Sequence, residues 1–245
     1  LMIRNKKTKS NNKNWLKIWN QQGRNLNSSN INDIINANGH NSAFGQFNKK
    51  SWFEYIKSLL KNIKIDKNSE ILEYGCGAGA FLSYWYGKKY RLYGIDYSKL
   101  LIKKCKKFFP KINLRVGEIS AIDNFNTKFS LILTHSIFQY FDNYHYAKSL
   151  ILKMLSKLKP EGSICILDVP DKNKEKMFIK KLKKKIGNEK YKMKYAKNKH
   201  LFYKKIFFRD LAKKNNLEIK IFKHNSKYNE NSEYRYNVIF KIKSN

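Results

Sequence analysis

Among 245 residues there are only 11 glycines, three prolines and three cysteines, and 18 acidic side chains stand against 52 basic ones. Each scarcity excludes something. Cys76, Cys105 and Cys165 are isolated, so they form neither a disulfide framework nor the paired spacing of a zinc site. A reducing, cytoplasmic setting is the expectation. No apolar run reaches the roughly 18 residues of a membrane span. The basic N-terminal stretch LMIRNKKTKSNNKNWLKIW lacks the apolar core of a signal peptide. Arginine is scarce as well, at six of the 52 basic positions, whereas Lys, Asn, Ile, Phe and Tyr are all abundant. An AT-rich coding sequence produces that pattern, and it accounts for the net charge of +34 as well as a nucleic-acid function would. So positive a field attracts polyanions, but a nucleic-acid partner is not favoured. Arginines that persist, among them Arg24 and Arg235, offer a planar fork for carboxylate or phosphate that lysine cannot mimic.

What is present is a sizeable core. The chain is 42% apolar and 15% aromatic, and its length suits one α/β domain with elaborations. Trp15 and Trp19, at i and i+4, sit on a short N-terminal helix, and NANGHNSAFGQFN reads as loop. SWFEYIKSLLKNI has helical spacing, with Ser51 as cap and Glu54 at the capping-box position. Strands and helices then alternate: strand SEILEY, helix GAFLSYWYGK, strand YRLYGID, helix SKLLIKKCKKFF stopped by Pro110, and strand INLRVGE. Strand FSLILTH follows, then a helix closed by PEG at 160–162, and strand SICILDV. This alternation predicts a parallel sheet covered on both faces. The lysine-dense stretch that follows reads as helical in its first half and very exposed. Helix KKIFFRDLAKKNN and strands LEIKIFKH and YRYNVIFKIK complete the chain, and the last two strands should pair antiparallel. The expected organisation is a cap over 1–50 and an α/β domain over 51–245, with 172–203 as an insertion over the substrate.

The few glycines are concentrated in one place: ILEYGCGAGAFL holds Gly75, Gly77 and Gly79 directly after the first strand. In open α/β sheets ligands lie beyond the carboxyl ends of the strands. A glycine turn there lets backbone approach a ligand, and a following helix would offer N–H groups to a negative group. GCGAGA alone also satisfies a dinucleotide fingerprint. Three acids weigh against that reading. Glu73 ends strand one, Asp96 closes strand two, and Glu118 lies beyond strand three. A carboxylate at 73 repels pyrophosphate but suits an ammonium, and Asp96 can accept from two ribose hydroxyls. S-adenosylmethionine, with an ammonium, a ribose and a purine, matches better than NAD.

LEYGCGAG, GIDYS, VGEIS, FSLILTHSIFQYF and LKPEGSICILDV, in this order over residues 68–170, resemble the motifs of class I S-adenosylmethionine-dependent methyltransferases. KPEG departs from the family's usual KPGG. The resemblance implies a Rossmann-like, mostly parallel seven-stranded sheet with an antiparallel last strand, helices on both faces and an N-terminal helical cap. It implies S-adenosylmethionine as cofactor and S-adenosylhomocysteine as product. Glu73 would hold the methionine amino group, with Tyr74, Gly75, Cys76 and Gly77 along the methionine portion. Asp96 would take the ribose, Tyr97 pack on the adenine, Glu118 and Ile119 flank its amino edge, and His135 and Ser136 adjoin the methyl.

The sulfonium already makes the methyl electrophilic, so the protein must orient a nucleophile and, for a hydroxyl, remove its proton. His135, in the loop after strand four, is the candidate base; the alternative is a histidine that only lines the pocket. The loop has no Asn/Asp-Pro-Pro-Tyr/Phe, and Cys165 lies inside a strand, so base-directed amine and C5 chemistries are disfavoured. A magnesium-dependent site is disfavoured because strand four ends in Thr134, and no metal is expected. Candidate acceptor contacts are Trp19, Arg24, Tyr140, His200, Tyr203, Arg235 and Asn237, a set suited to a small polar or anionic acceptor methylated on oxygen. An RNA, lipid or quinone methyltransferase and a non-catalytic cofactor-binding protein are the rival readings.

Overall fold

Ile71 and Leu72 are neighbours on one strand, and both are fully buried. Successive strand residues point to opposite faces, so this sheet must be covered twice. The computed structural model describes residues 11–42, 44–61, 63, 65–195, 198–224, 227 and 229–243. The N-terminal part holds α1 (Asn11–Asn25), α2 (Ile31–Ala37) and α3 (Lys49–Leu60). Then come β1 (Glu70–Tyr74), β2 (Arg91–Asp96), α4 (Lys99–Phe108), β3 (Asn113–Val116), β4 (Phe129–His135), α5 (Tyr144–Ser156) and β5 (Leu158–Pro170). The last part is α6 (Glu175–Ile186), α7 (Asn188–Tyr195), α8 (Lys205–Lys214), β6 (Leu217–Lys223) and β7 (Arg235–Ile242).

Among the described residues, seven strands form one sheet in the order β3-β2-β1-β4-β5-β7-β6. β1 pairs parallel with β2 and β4, and β7 runs antiparallel between β5 and β6. Ile71, Leu131, Leu133 and Leu167 pack with Ile35 of α2, Trp52 and Ile56 of α3, and Leu101 of α4. On the other face Leu72, Ile132, Ile164 and Val238 pack with Leu150 and Met154 of α5 and Phe208 of α8. The Rossmann-like sheet with helices on both faces is therefore as the motifs imply. No helix among the described residues is long and apolar enough to cross a membrane.

Four local expectations change. The cap of α3 is Asn48, not Ser51. Asn48 Oδ1 accepts from the Ser51 N–H at 2.9 Å and Ser51 Oγ accepts from the Asn48 N–H at 3.0 Å, a reciprocal box that begins three residues earlier. GAFLSYWYGK forms turns and one short 3-10 segment, Leu82–Tyr84, instead of an α-helix. Its core is bounded by left-handed glycines at both ends (Gly79, φ +92°; Gly87, φ +81°) and crowded with aromatics of low helix propensity, so α-helix has no room to propagate. The fifth strand starts at Leu158 and absorbs PEG, with a register irregularity against β4 between Phe129 and Leu131. The lysine-dense stretch is not merely exposed. α6 buries Phe178 and Leu182 against Phe44, Phe202 and Tyr234 while its lysines face outward.

Candidate active site

Strand order reverses between β1 and β4, and a cleft of about 730 Å³ opens at their carboxyl ends. Glu73, Tyr74, Gly75 and Gly77 line it from β1 and its turn, Asp96 and Tyr97 from β2, Glu118 from beyond β3, and His135 and Ser136 from β4. Trp19 of α1 and Asn38 and His40, which follow α2, close it from the other side.

Two acids dominate this end. Glu73 is 2% exposed, and its Oε2 is buried without a hydrogen-bond partner. Burial, and then the neighbouring Asp96 charge, hold its carboxyl well above the ordinary carboxylate range. Asp96 Oδ2 accepts from the Gly77 N–H at 2.9 Å and Oδ1 from the Ser98 N–H at 2.8 Å. Burial outweighs those two donors and pushes its pKa up to about 6. Two buried, under-compensated carboxyls call for a cation and hydroxyl donors, not another anion.

The glycine turn differs from the sequence reading. The N–H groups of Gly75 and Cys76 both donate to the Ile95 carbonyl, at 2.7 and 3.0 Å. Ala78 N–H donates to Asn38 Oδ1 at 2.8 Å, and Asn38 Nδ2 donates back to the Cys76 carbonyl at 3.0 Å. With no α-helix beginning here, the turn has no spare ladder of amides for an anion. The glycines admit protein neighbours instead. A Cβ on Gly77 (φ +53°) would lie 2.7 Å from Asn38 Oδ1, and one on Gly79 would lie 2.8 Å from Cys105 Sγ.

A second cleft, about 1330 Å³, shares Trp19, Asn38, His40, His135, Ser136 and Tyr140 with the first. It continues past Trp15, Tyr55, Asp168, Phe178, His200 and Arg235. Trp15 lies 4.5 Å from the Tyr140 ring and 5.6 Å from the His200 ring. At the junction of the clefts, His135 Nε2 is 2.7 Å from the Tyr55 hydroxyl, which is 3.3 Å from His224 Nε2. Burial, then repulsion by His224 should it be protonated, and the Arg235 charge hold the His135 pKa well below that of a free imidazole, so the ring is neutral. His40 stacks on Trp52 at 4.4 Å and meets the His135 ring edge at 5.0 Å.

Asp168 enters this junction because the β5–β7 register shifts between Ile166 and Val169, a bulge that re-aims its side chain. Asp168 (φ +61°) and Ser136 (φ +55°) both hold left-handed backbone, strained for residues with a Cβ, and the Ser136 hydroxyl donates to Asp168 Oδ2. Asp168 Oδ1 is buried without a hydrogen bond, 3.7 Å from His224 Nε2 and 3.9 Å from Arg235 Nε. Arg235 also donates to Gln139 Oε1 and to the Asp168 carbonyl, both at 3.3 Å.

Several sequence candidates lie elsewhere. Cys76 turns its thiol into the core against Gly94 and Cys105. Ile119 lines a neighbouring surface groove. Arg24 is exposed and donates to Gln21 at 3.4 Å. Tyr203 is fully buried and donates to the Phe138 carbonyl at 3.0 Å. Asn237 is fully buried and accepts from the Asp168 N–H at 2.9 Å, behind the cleft and not in it. Tyr55, His40 and His224 were missed. Their rarity was the usable signal: histidine occurs five times in the chain, and three of the five meet here.

The fold is that of class I S-adenosylmethionine-dependent methyltransferases. A family model described as "Methyltransferase domain" matches residues 65–230, and the chain belongs to that family. Among curated proteins it is 27% identical over 129 residues to a malonyl-[acyl-carrier protein] O-methyltransferase of Calditerrivibrio nitroreducens, over 51% of this chain and 48% of that one. A second relative, from Invertebrate iridescent virus 6, is matched over 34% of its length, so the chain spans half or less of the curated relatives it matches. Among solved structures, the plantazolicin methyltransferase in complex with S-adenosylhomocysteine superposes with a TM-score of 0.61 at 18% identity, over 94% of this chain and 97% of that one. The N-methyltransferase NodS of Bradyrhizobium japonicum, also with S-adenosylhomocysteine, gives 0.58 at 15% identity, over 93% and 99%.

Proposed function

We propose that this protein is an S-adenosylmethionine-dependent methyltransferase acting on an oxygen of a small polar acceptor, with His135 as general base. The observation that carries the cofactor reading is the buried Glu73 carboxyl with its unpartnered Oε2, set beside Asp96 in the cleft where strand order reverses. These residues fit the cofactor: Glu73 would take the ammonium, Asp96 would accept from ribose hydroxyls, and Tyr97 would pack on the adenine. When bound, S-adenosylmethionine supplies a methyl group made electrophilic by its sulfonium. The chain's own part is to orient the acceptor, exclude water and hold a proton. His135 stands where the two clefts meet, neutral and able to accept one.

The acceptor end favours a polar molecule over an anion or a polynucleotide. The Arg235 charge is matched by Asp168, and the second cleft has no lysine among its described lining residues. In so lysine-rich a chain, that argues against a phosphate track. Aromatics Trp15, Trp19, Tyr140 and His200 suit one flat or greasy face of the acceptor. A base beside the methyl site suits a hydroxyl, since a neutral amine is already nucleophilic. The curated O-methyltransferase relative is consistent with oxygen, and NodS with nitrogen. Calorimetry tests the cofactor reading. S-adenosylmethionine and S-adenosylhomocysteine should bind and NAD should not; binding of NAD alone would overturn it.

A further inference from the structure

Directional hydrogen bonds behind the second cleft determine which nitrogen of His135 carries hydrogen. The Asp168 backbone N–H can only donate, so the Asn237 atom it meets at 2.9 Å is the side-chain carbonyl oxygen. Asn237 Nδ2 then faces the Lys223 carbonyl at 3.5 Å, the orientation an amide needs. His224 Nδ1 lies 3.3 Å from the same Asn237 oxygen, so Nδ1 bears the hydrogen. Burial keeps His224 neutral, the nearby Asp168 charge notwithstanding. Its Nε2 is then a lone pair, and the Tyr55 hydroxyl 3.3 Å away donates to it. A phenol has one hydrogen. Tyr55 oxygen must therefore accept from His135 Nε2, at 2.7 Å. Neutral His135 is left with its lone pair on Nδ1, which is buried without a hydrogen-bond partner.

We infer that Asn237, His224 and Tyr55 form a hydrogen-bond chain that fixes His135 as the Nε2–H tautomer and presents Nδ1 as the atom that takes the acceptor's proton. The inference rests on the reading of His135 as base, and it names the atom and the residues that orient it. In the proton step the acceptor O–H bond breaks, its electron pair stays on oxygen, and the proton bonds to Nδ1. The Nε2 proton can pass to Tyr55 as the Tyr55 proton passes to His224, which leaves the positive charge on His224, 3.7 Å from the Asp168 carboxylate. The chain thus gives a buried imidazole a route to share a charge that burial alone would forbid. Tyr55, His224 and Asn237 are positioning residues, since none of them need touch the acceptor.

The test is long-range proton–nitrogen correlation NMR on the intact protein labelled with 15N-histidine, the His135 signals being assigned by their loss in His135→Ala. The expected spectrum shows a pyrrole-type Nε2 and a pyridine-type Nδ1. A hydrogen on Nδ1 in the wild-type protein would overturn the inference. Tyr55→Phe removes the acceptor for Nε2–H, so the His135 signals should shift toward the other tautomer and turnover should fall roughly 10-fold, part of the 10²–10⁴ a base contributes. His224→Gln retains an acceptor for the Tyr55 hydroxyl and should keep the wild-type tautomer. An unmoved spectrum in Tyr55→Phe would remove the chain's role. The tautomer is read without turnover, so an Nε2–H His135 in a protein whose His135→Ala variant turns over normally would sink the general-base reading and leave the tautomer standing.

Discussion

The two ends of the crevice are assembled differently. At the β1–β2 end, Glu73 is the penultimate residue of β1 and Asp96 the last of the adjacent β2, and their placement needs only the strand–turn rhythm around one glycine-rich stretch. At the β4–β5 end, the corresponding groups come from α3, β4, β5, the residue after β6, and β7: Tyr55, His135, Asp168, His224 and Asn237. No two of those positions are close in sequence except the last pair. The first end is a pair of buried, under-compensated carboxyls. The second is a self-satisfied polar network with two atoms left over, His135 Nδ1 and Asp168 Oδ1. A locally encoded site recurs wherever the motif recurs. A site built by tertiary packing changes with every loop, which is why acceptor chemistry diverges on a shared fold.

The largest effect should come from the second end. His135→Ala is expected to lower turnover by about 10²–10⁴-fold with cofactor affinity unchanged, as single-turnover assays and calorimetry would show together. Loss of cofactor binding instead would place His135 on the first end and erase the distinction between them. Next, Asp96→Asn should weaken S-adenosylhomocysteine binding by roughly 100-fold, because an amide accepts at one atom only while the Gly77 and Ser98 N–H groups still demand two acceptors. Ribose hydroxyls prefer the ionised carboxylate, so in the wild-type protein affinity should fall as pH drops through about 6, the raised pKa of Asp96 in the empty site. Affinity flat between pH 5 and about 7 would remove Asp96 from the ribose contact.

That asymmetry is also why one end was legible and the other was not. Alternating apolar runs specify β1, β2, β4 and β7, and the acids at strand ends follow at once from the pattern. The helix expected from GAFLSYWYGK failed because of left-handed glycines at its two ends and aromatic crowding between them, and the approach of Gly79 to Cys105 and Phe109 is not something periodicity reveals. Tyr55 reads as one more buried position on an amphipathic helix, and its hydroxyl acquires a role only when β4 and the residue after β6 arrive beside it. Tyr203 shows the reverse error: an aromatic assigned to the acceptor by its neighbourhood in sequence fills the core beneath the site. Asp168 is not a site candidate on sequence grounds, because the bulge that turns it inward has no signature in the strand's composition.

A smaller effect would sharpen the first end. Burial and then the Asp96 charge raise the Glu73 pKa well above the usual carboxylate range, so the carboxylate form is disfavoured in the empty site. An ammonium placed against it favours the carboxylate and lowers that pKa again, so binding must release a proton and affinity must rise with pH. Calorimetry of S-adenosylhomocysteine in buffers of different ionisation enthalpy should show an apparent binding enthalpy that varies with the buffer. Glu73→Gln should abolish that variation and cost about 10-fold in affinity, the loss of one charge-assisted hydrogen bond. Arg24→Ala, on the exposed face of α1, is the control with the smallest expected effect: stability within about 0.5 kcal/mol and an unchanged acceptor KM. A raised KM would mean that α1 turns this face toward the acceptor during turnover, and the second end would then extend beyond the cleft described. If Arg24→Ala is silent while Glu73→Gln loses both affinity and proton release, the cofactor end is electrostatic at the buried strand termini and indifferent to the abundant surface charge.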